Sequence, residues 1–302
     1  MGAHFADRLL SAIEDKGAPA CVGFDPQLEQ LPPELLGRAG PADAASDDAA
    51  VRALEVFGRG VIEVIAPYVP AIKINIAFFE PYQEAGIGAY RRLVAHARAT
   101  GLIVIGDIKR ADIGHSATRY ADGHLGREDS ADAVTVNAYF GIDGVRPFIA
   151  ASGSGEHGVF VLVQTSNPSA ATVQDVVMNG GGSFVEHVAA MVQSWAVDEA
   201  PVGESGYSCI GAVVSPRDTD STRRIRALMP SCLFLVPGFG AQGRTADEVA
   251  TCFRSDGTGA LVTASRSIIY TQSRTPSRDW KAGVDEACRE LVAQIRRVVH
   301  AG

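Results

Sequence analysis

Short apolar runs alternate with amphipathic segments along nearly the whole chain. Eight of these runs are β-branched or otherwise apolar along most of their length, which is typical of strands covered on both faces. They lie at 18–24, 70–75, 102–107, 132–136, 158–164, 208–214, 232–236 and 259–264. Amphipathic segments follow most of them, and in the clearest, from Val284 to Val299, apolar residues recur at helical spacing. Eight such units predict an α/β fold, a closed (β/α)8 TIM barrel, rather than an open doubly wound sheet.

Two longer segments interrupt this rhythm. Residues 28–50 are rich in Pro, Ala and Asp and predict an insertion after the first strand. Residues 167–183 predict a mobile loop after the fifth strand, with a glycine hinge at 180–182. Because no linker divides the chain, we predict one barrel domain over residues 1–302 with insertions near 28–50 and 167–183.

Composition narrows the class of protein. The chain has 302 residues and is 46% hydrophobic and 21% charged, so it can bury a large core. A net charge of −8 argues against nucleic-acid binding, and no apolar run is long enough to span a membrane. The acidic N-terminal segment does not read as a signal peptide, and the five cysteines are scattered, so we expect a cytoplasmic protein with reduced thiols.

Charged residues stand at the ends of the first three predicted strands. Catalytic residues of TIM barrels lie at the C-terminal ends of the strands, where Asp25 follows the first and Lys73 lies in the second. Asp107 and Lys109 are two residues apart at the end of the third, so they are expected to point to the same side, and Asp112 follows three residues later. We expect the lysine ammonium to lie between acidic side chains in a pocket.

A structural ion-pair cluster is the alternative interpretation of these residues. Two unit charges about 4 Å apart interact by roughly 4 kcal/mol at an effective dielectric near 20. Burying such charges also costs desolvation that their attraction only partly offsets, so a cluster of this kind stabilises a barrel poorly. It is better suited to holding an ammonium group beside an anionic substrate.

The segments after the last two strands predict a phosphate site. Loops at this position in TIM barrels often bind phosphate, and "VPGFGAQGRT" (236–245) and "TASRSIIY" (263–270) supply glycines, Gln242 and Arg266. "GFGAQG" also matches a dinucleotide-binding motif, but little chain remains after it for such a domain. The seven histidines lack metal-ligand spacing, and we expect His115 and His124 to lie on helix surfaces.

Taken together, these motifs resemble the orotidine 5'-phosphate decarboxylase family, and in particular its longer bacterial (type 2) subgroup. The most specific stretch is "DIKRADIG" at 107–114. In the expected order along the chain, the supporting motifs are "FDP", "IKIN", "TSNPSA", "PGFGAQG" and "SRSI". The resemblance covers nearly the whole chain. It implies decarboxylation of orotidine 5'-monophosphate to uridine 5'-monophosphate and CO₂ in pyrimidine biosynthesis, with no cofactor and no metal.

The resemblance also implies catalytic roles. Lys109 would be the proton donor to C6 of the pyrimidine, and Asp107 would lie against the substrate carboxylate. Asp112 would reach the site from a neighbouring subunit, so the working protein would be a homodimer with shared active sites. Ser116 occupies the place of a family hydroxyl residue that also crosses this interface.

The same resemblance implies a set of substrate contacts. Asp25 and Lys73 would contact the ribose hydroxyls, and Ser166 would contact the pyrimidine. Gln242 would gate the phosphate and Arg266 would bind it. The long insertions depart from the compact members of the family, so we assign no contacts of the closing loop.

Two other functions stay open at the level of sequence. A metal-dependent aldolase resembling hexulose phosphate synthase would use the same Asp-x-Lys-x-x-Asp array together with Mg²⁺. A catalytically silent barrel that only binds a nucleotide is the second alternative.

Overall fold

The eight predicted strands form a closed parallel barrel in this computed structural model, which describes residues 2–36, 47–127, 129–239, 245–271 and 279–301. The strands are β1 (Ala20–Phe24), β2 (Ala71–Asn75), β3 (Ile103–Arg110), β4 (Ala133–Asn137), β5 (Gly158–Gln164), β6 (Ile210–Val214), β7 (Phe234–Pro237) and β8 (Ala260–Ala264). Each pairs with the next, and β8 pairs with β1. The predicted (β/α)8 TIM barrel is confirmed.

Helices surround the barrel. In the described residues they are α1 (Phe5–Lys16), α2 (Asp47–Ile65), α3 (Gln83–Ala99), α4 (Gly114–His124), α5 (Ile142–Ala151), α6 (Ala170–Gln174), α7 (Phe184–Asp198), α8 (Thr219–Leu228), α9 (Ala246–Ala250), α10 (Arg266–Ile269) and α11 (Trp280–Ala301). The last predicted helix lies within α11. Helix α1 precedes the first strand, which the strand-then-helix pattern did not predict.

Side chains alternate between the two faces of each strand. On β3, Val104 packs outward in the cluster under the helices, whereas Ile103 and Ile105 pack inside the barrel. Asp107 comes next in this inward series, and on β2 the inward series runs from Ala71 to Lys73. The interior is therefore apolar at the N-terminal ends of these strands and charged toward their C-terminal ends.

Helix α1 covers the N-terminal end of the barrel. Phe5 and Leu9 belong to the interior apolar cluster, and the Phe5 and Phe160 rings meet edge to face at 5.9 Å. A Cβ at Gly158 would lie 2.4 Å from the Phe5 ring, so this contact requires glycine there. Because this end is filled with side chains, a ligand site of the barrel belongs at the opposite end.

The two predicted insertions differ in their structure. In the first, short 3-10 turns occupy Leu28–Gln30 and Pro33–Leu35, residues 37–46 lie outside the described part, and α2 begins at Asp47. In the second, α6 is followed by a bridge between Val177 and Ser183. Its glycines at 180–182 all have positive φ, as a tight turn requires. The predicted mobility of this segment stays a prediction.

Three remaining observations concern individual side chains and helices. The five cysteines are buried and unbridged, in agreement with reduced thiols. His115 is exposed as expected, but His124 is half-buried at the end of α4, so its predicted surface position was wrong. Among the described helices, none combines the length and apolarity needed to cross a membrane.

Candidate active site

A carboxylate lies between two lysines at the C-terminal end of the barrel. The Lys109 Nζ donates to Asp107 Oδ1 at 2.5 Å, and the Lys73 Nζ donates to Asp107 Oδ2. Lys73 is 8% exposed and Asp107 is 6% exposed, whereas the Lys109 side chain is 50% exposed. The cluster therefore has a buried side, at Lys73 and Asp107, and an open side at Lys109.

The charges of this cluster stabilise one another. Burial by itself would raise the pKa of Asp107, but the ammonium groups of Lys73 and Lys109 hold it well below its ordinary value. Burial would lower the pKa of Lys73, but the carboxylates of Asp107 and Asp25 raise it above its ordinary value. Asp107 and Lys73 consequently both stay ionised at neutral pH.

Lys109 reaches Asp107 through an irregular backbone. Its φ of 45° lies in the left-handed region, which for a residue other than glycine costs roughly 1–3 kcal/mol, and the pairing of β3 with β4 shifts between Gly106 and Arg110. The Lys109 N–H donates to Thr135 Oγ1 at 3.0 Å, and the Thr135 hydroxyl donates to Asp107 Oδ1 at 2.9 Å. The expected proximity of Asp107 and Lys109 is present, but a bulge brings it about and not simple strand alternation.

Asp112 and Ser116 lie outside this cluster in the single chain. The Ile113 N–H donates to Asp112 Oδ1 at 2.8 Å, and within the described part of the chain Asp112 forms no ion pair. Ser116 is exposed on α4. The arrangement in one chain is thus a carboxylate between two ammonium groups, whereas the sequence led us to expect an ammonium group between two carboxylates.

A cavity of about 300 Å³ continues from Lys73 toward α10. Asp25, Asn75, Gly238 and Arg266 are among the residues that line it. Asp25 Oδ1 is buried and has no hydrogen-bond partner in the described residues, so it is an acceptor available to a ligand hydroxyl. A guanidinium group and the ammonium group of Lys73 thus both line the cavity.

One predicted substrate residue is not brought to this cavity, and another cannot be compared with it. Ser166 is exposed after β5 and is not part of the cavity lining. Gln242 lies outside the described residues.

Two residues at the site went unnoticed in the sequence. Thr135 could have been found, because it lies two positions after the inward-facing Ala133 on the strand beside Asp107. Tyr270 donates from its hydroxyl to the Asp25 carbonyl at 3.1 Å and accepts from the Gln27 N–H at 2.5 Å. No local pattern signals a contact between residues so far apart in the chain.

The fold and the site together define a class of protein, namely TIM-barrel enzymes with a cluster of charged side chains and an arginine-lined cavity at the C-terminal ends of the strands. Residues 48–282 match the sequence model of the "Orotidine 5'-phosphate decarboxylase / HUMPS family". The chain belongs to the orotidine 5'-phosphate decarboxylase family, and the resemblance seen in its motifs is confirmed.

Relatives align along almost their full length. The orotidine 5'-phosphate decarboxylase of Rhodopirellula baltica is 36% identical over 97% of this chain and 99% of its own. The enzyme of the same name from Caldicellulosiruptor saccharolyticus is 33% identical over 98% of this chain and 99% of its own. The solved structure of the Leishmania donovani OMP decarboxylase has a TM-score of 0.76 and 28% identity, covering 98% of this chain and 99% of that one.

Proposed function

We propose that this chain decarboxylates orotidine 5'-monophosphate to uridine 5'-monophosphate and CO₂, a step of pyrimidine biosynthesis. The observation that carries the proposal is the Lys73–Asp107–Lys109 cluster at the C-terminal end of the barrel, with Lys109 on its open side. Full-length relatives that bear the name of this activity support it.

Lys109 is the acid of the proposed reaction. When the bond between C6 and the carboxylate carbon breaks, CO₂ leaves and the electron pair stays on C6 in an orbital that no neighbouring carbonyl can delocalise. A fixed ammonium group stabilises this developing charge and then donates its proton to C6. Lys109 ends the step as a neutral amine and recovers a proton from solvent. This chemistry uses only the side chains of the protein.

Asp107 acts on the substrate before the bond breaks. Its carboxylate stays ionised, because two lysines hold its pKa low, and it would lie against the carboxylate that leaves. Repulsion between the two disfavours the bound substrate more than the transition state, in which the substrate charge has moved to C6. Asp107 also orients the Lys109 ammonium through their hydrogen bond.

Binding of the nucleotide is assigned to the cavity and to residues outside its lining. Asp25 and Lys73 would contact the ribose hydroxyls, Arg266 the phosphate and Ser166 the pyrimidine, with Gln242 gating the phosphate. The guanidinium of Arg266 suits a phosphate because it is planar and always charged. Interactions with the phosphate would supply the binding energy that closes the segment 167–183 over the substrate.

We further propose a homodimer in which each site is shared. Asp112 and Ser116 would reach the Lys109 cluster of the neighbouring subunit. Exposed apolar side chains beside them support an interface here, because Ile113, Tyr139 and Phe140 are all exposed on the loops after β3 and β4.

The test follows the absorbance of orotidine 5'-monophosphate with the purified protein and with Lys109→Ala. We expect turnover by the wild-type protein in excess EDTA, and for Lys109→Ala we expect retained binding of uridine 5'-monophosphate with loss of turnover. Turnover that EDTA abolishes would favour the metal-dependent aldolase type of chemistry. Nucleotide binding without turnover by the wild-type protein would indicate a silent barrel, and an unchanged rate in Lys109→Ala would remove Lys109 from the mechanism.

A further inference from the structure

Thr135 connects the backbone of one catalytic residue to the side chain of another. Its hydroxyl accepts from the Lys109 N–H at 3.0 Å and donates to Asp107 Oδ1 at 2.9 Å. Thr135 is 1% exposed, in the middle of β4, so the strand on either side holds its Cα in place. A threonine in a strand also has few rotamers, which fixes the direction of the hydroxyl.

The backbone of Lys109 requires such an anchor. Among the described residues, only Gln83 and Lys109 have a positive φ without being glycine. At Lys109 the regular pairing between β3 and β4 is interrupted, so its N–H cannot rely on a strand carbonyl. The Thr135 hydroxyl takes that N–H instead, and its own proton is directed at the Oδ1 atom that the Lys109 Nζ also contacts.

We propose that Thr135 is a positioning residue for the reaction, and this inference rests on the proposed function. One hydroxyl holds the left-handed turn at Lys109 and orients the Asp107 carboxylate, so that the ammonium group is held beside C6 and the carboxylate beside the group that leaves. Without the hydroxyl, the Lys109 N–H loses its acceptor and Oδ1 of Asp107 loses one donor. The backbone then relaxes toward the extended region, and the ammonium group is displaced from the reacting carbon.

Two matched pairs of proteins isolate the hydroxyl group. The wild-type protein and Thr135→Val have side chains of nearly the same shape at this position and differ in the hydroxyl group. Thr135→Ser and Thr135→Ala form a second pair that also differs in the hydroxyl group, but with a smaller side chain. If Thr135→Val does not fold, the Ser and Ala pair still measures the effect. Thr222→Val is the control, because Thr222 is a buried threonine whose hydroxyl bonds the Asp218 carbonyl in α8.

Loss of the hydroxyl is expected to reduce kcat and leave substrate binding nearly unchanged. We expect kcat to fall about 10- to 100-fold in Thr135→Val relative to wild type and in Thr135→Ala relative to Thr135→Ser. KM and the affinity for uridine 5'-monophosphate should change less than about threefold, because Thr135 does not line the cavity that binds the nucleotide. Thr135→Ser should keep a kcat within about threefold of wild type, and Thr222→Val should do the same.

Three outcomes would overturn this inference while the reaction itself stands. They are a kcat of Thr135→Val equal to that of the wild type, a kcat of Thr135→Ser as low as that of Thr135→Ala, and a rise in KM with unchanged kcat. The second would assign Thr135 to packing and the third to binding. Absence of turnover in the wild-type protein would instead refute the proposed reaction, and the role of Thr135 with it.

Discussion

Arg266 begins α10 at the rim of the cavity that also contains Asp25 and Lys73. We expect Arg266→Ala to raise KM for orotidine 5'-monophosphate about 10- to 100-fold, because a hydrogen-bonded charge pair contributes roughly 1.5–3 kcal/mol. Steady-state kinetics with the nucleotide and with phosphate-free orotidine measure the effect. The variant should lose much of the preference for the phosphorylated substrate.

A second arginine provides the control for this experiment. Arg223 is exposed on α8 and pairs with Asp220 at 3.2 Å, away from the cavity, so Arg223→Ala should keep the wild-type KM. Equal discrimination between nucleotide and nucleoside in Arg266→Ala and in the wild-type protein would refute a phosphate role for Arg266.

At the scale of single residues, the sequence pattern predicted the positions of the charged residues better than the hydrogen bonds that hold them. Asp25, Lys73, Asp107 and Lys109 could be placed at strand ends, since the barrel directs the C-terminal ends of its strands to one face. The hydrogen bond of Tyr270 to the loop after β1 joins distant parts of the chain, which no local pattern encodes. The catalytic and binding roles of the predicted residues stay proposals.

Strands were the elements that the pattern of apolar residues predicted best. Their observed limits agree with the predicted ones within two residues, except that β3 continues three residues beyond the predicted end. The extension contains the bulge at Lys109, after which Arg110 pairs with Val136. Periodicity assumes regular alternation, so it cannot predict an extension that depends on a hydrogen bond from the neighbouring strand.

Helix α4 carries a histidine whose protonation should affect stability. Burial, together with the charges of Arg110 and Arg91, lowers the pKa of His124 to about 4, although Glu80 acts in the opposite direction. In the unfolded chain His124 becomes protonated as the pH falls below 6.5, whereas in the folded chain it stays neutral until about pH 4. His124 should therefore reduce the free energy of unfolding by up to about 3 kcal/mol as the pH falls through this window.

Denaturant unfolding between pH 7 and pH 4 tests this prediction. His124→Gln should lose stability less steeply with falling pH than the wild-type protein. The exposed His115 on the same helix offers the matched control, and His115→Gln should keep the wild-type slope. An imidazole titration of His124 near pH 6.5 would contradict the prediction.

At the scale of the whole molecule, the count of β/α units predicted closure of the barrel. The N-terminal cover was not predicted, because α1 shows its role only through the contacts of Phe5 and Leu9 with the interior. That residues 1–302 form one domain with two insertions stays a prediction, and so does the dimer. Contacts between subunits depend on which surfaces meet in the assembly, and the sequence pattern does not show this.

Mixing two inactive variants tests the shared site. In a dimer of one Asp112→Ala subunit and one Lys109→Ala subunit, one site contains both mutations and the other contains neither. Random exchange of subunits should therefore restore about one quarter of the wild-type activity. Co-expression followed by an activity assay measures the recovery.

The oligomeric state of the mixed sample decides how the measured activity is interpreted. No recovery in a sample that chromatography shows to be dimeric would refute the shared site. Recovery in a sample that contains only monomers would equally contradict it, because neither variant alone has a complete site.

The two lysines and the aspartate described above sum to a single positive charge, and a substrate carboxylate brings this sum to zero. When CO₂ departs and Lys109 gives up its proton, Lys73 and Asp107 remain, and the sum is again zero. Among the groups that one chain supplies, the cluster and its substrate therefore carry no unbalanced charge at either end of the proposed step. The half-exposed Lys109 is also the group that must be recharged, and its contact with water allows this without opening the buried side of the cluster.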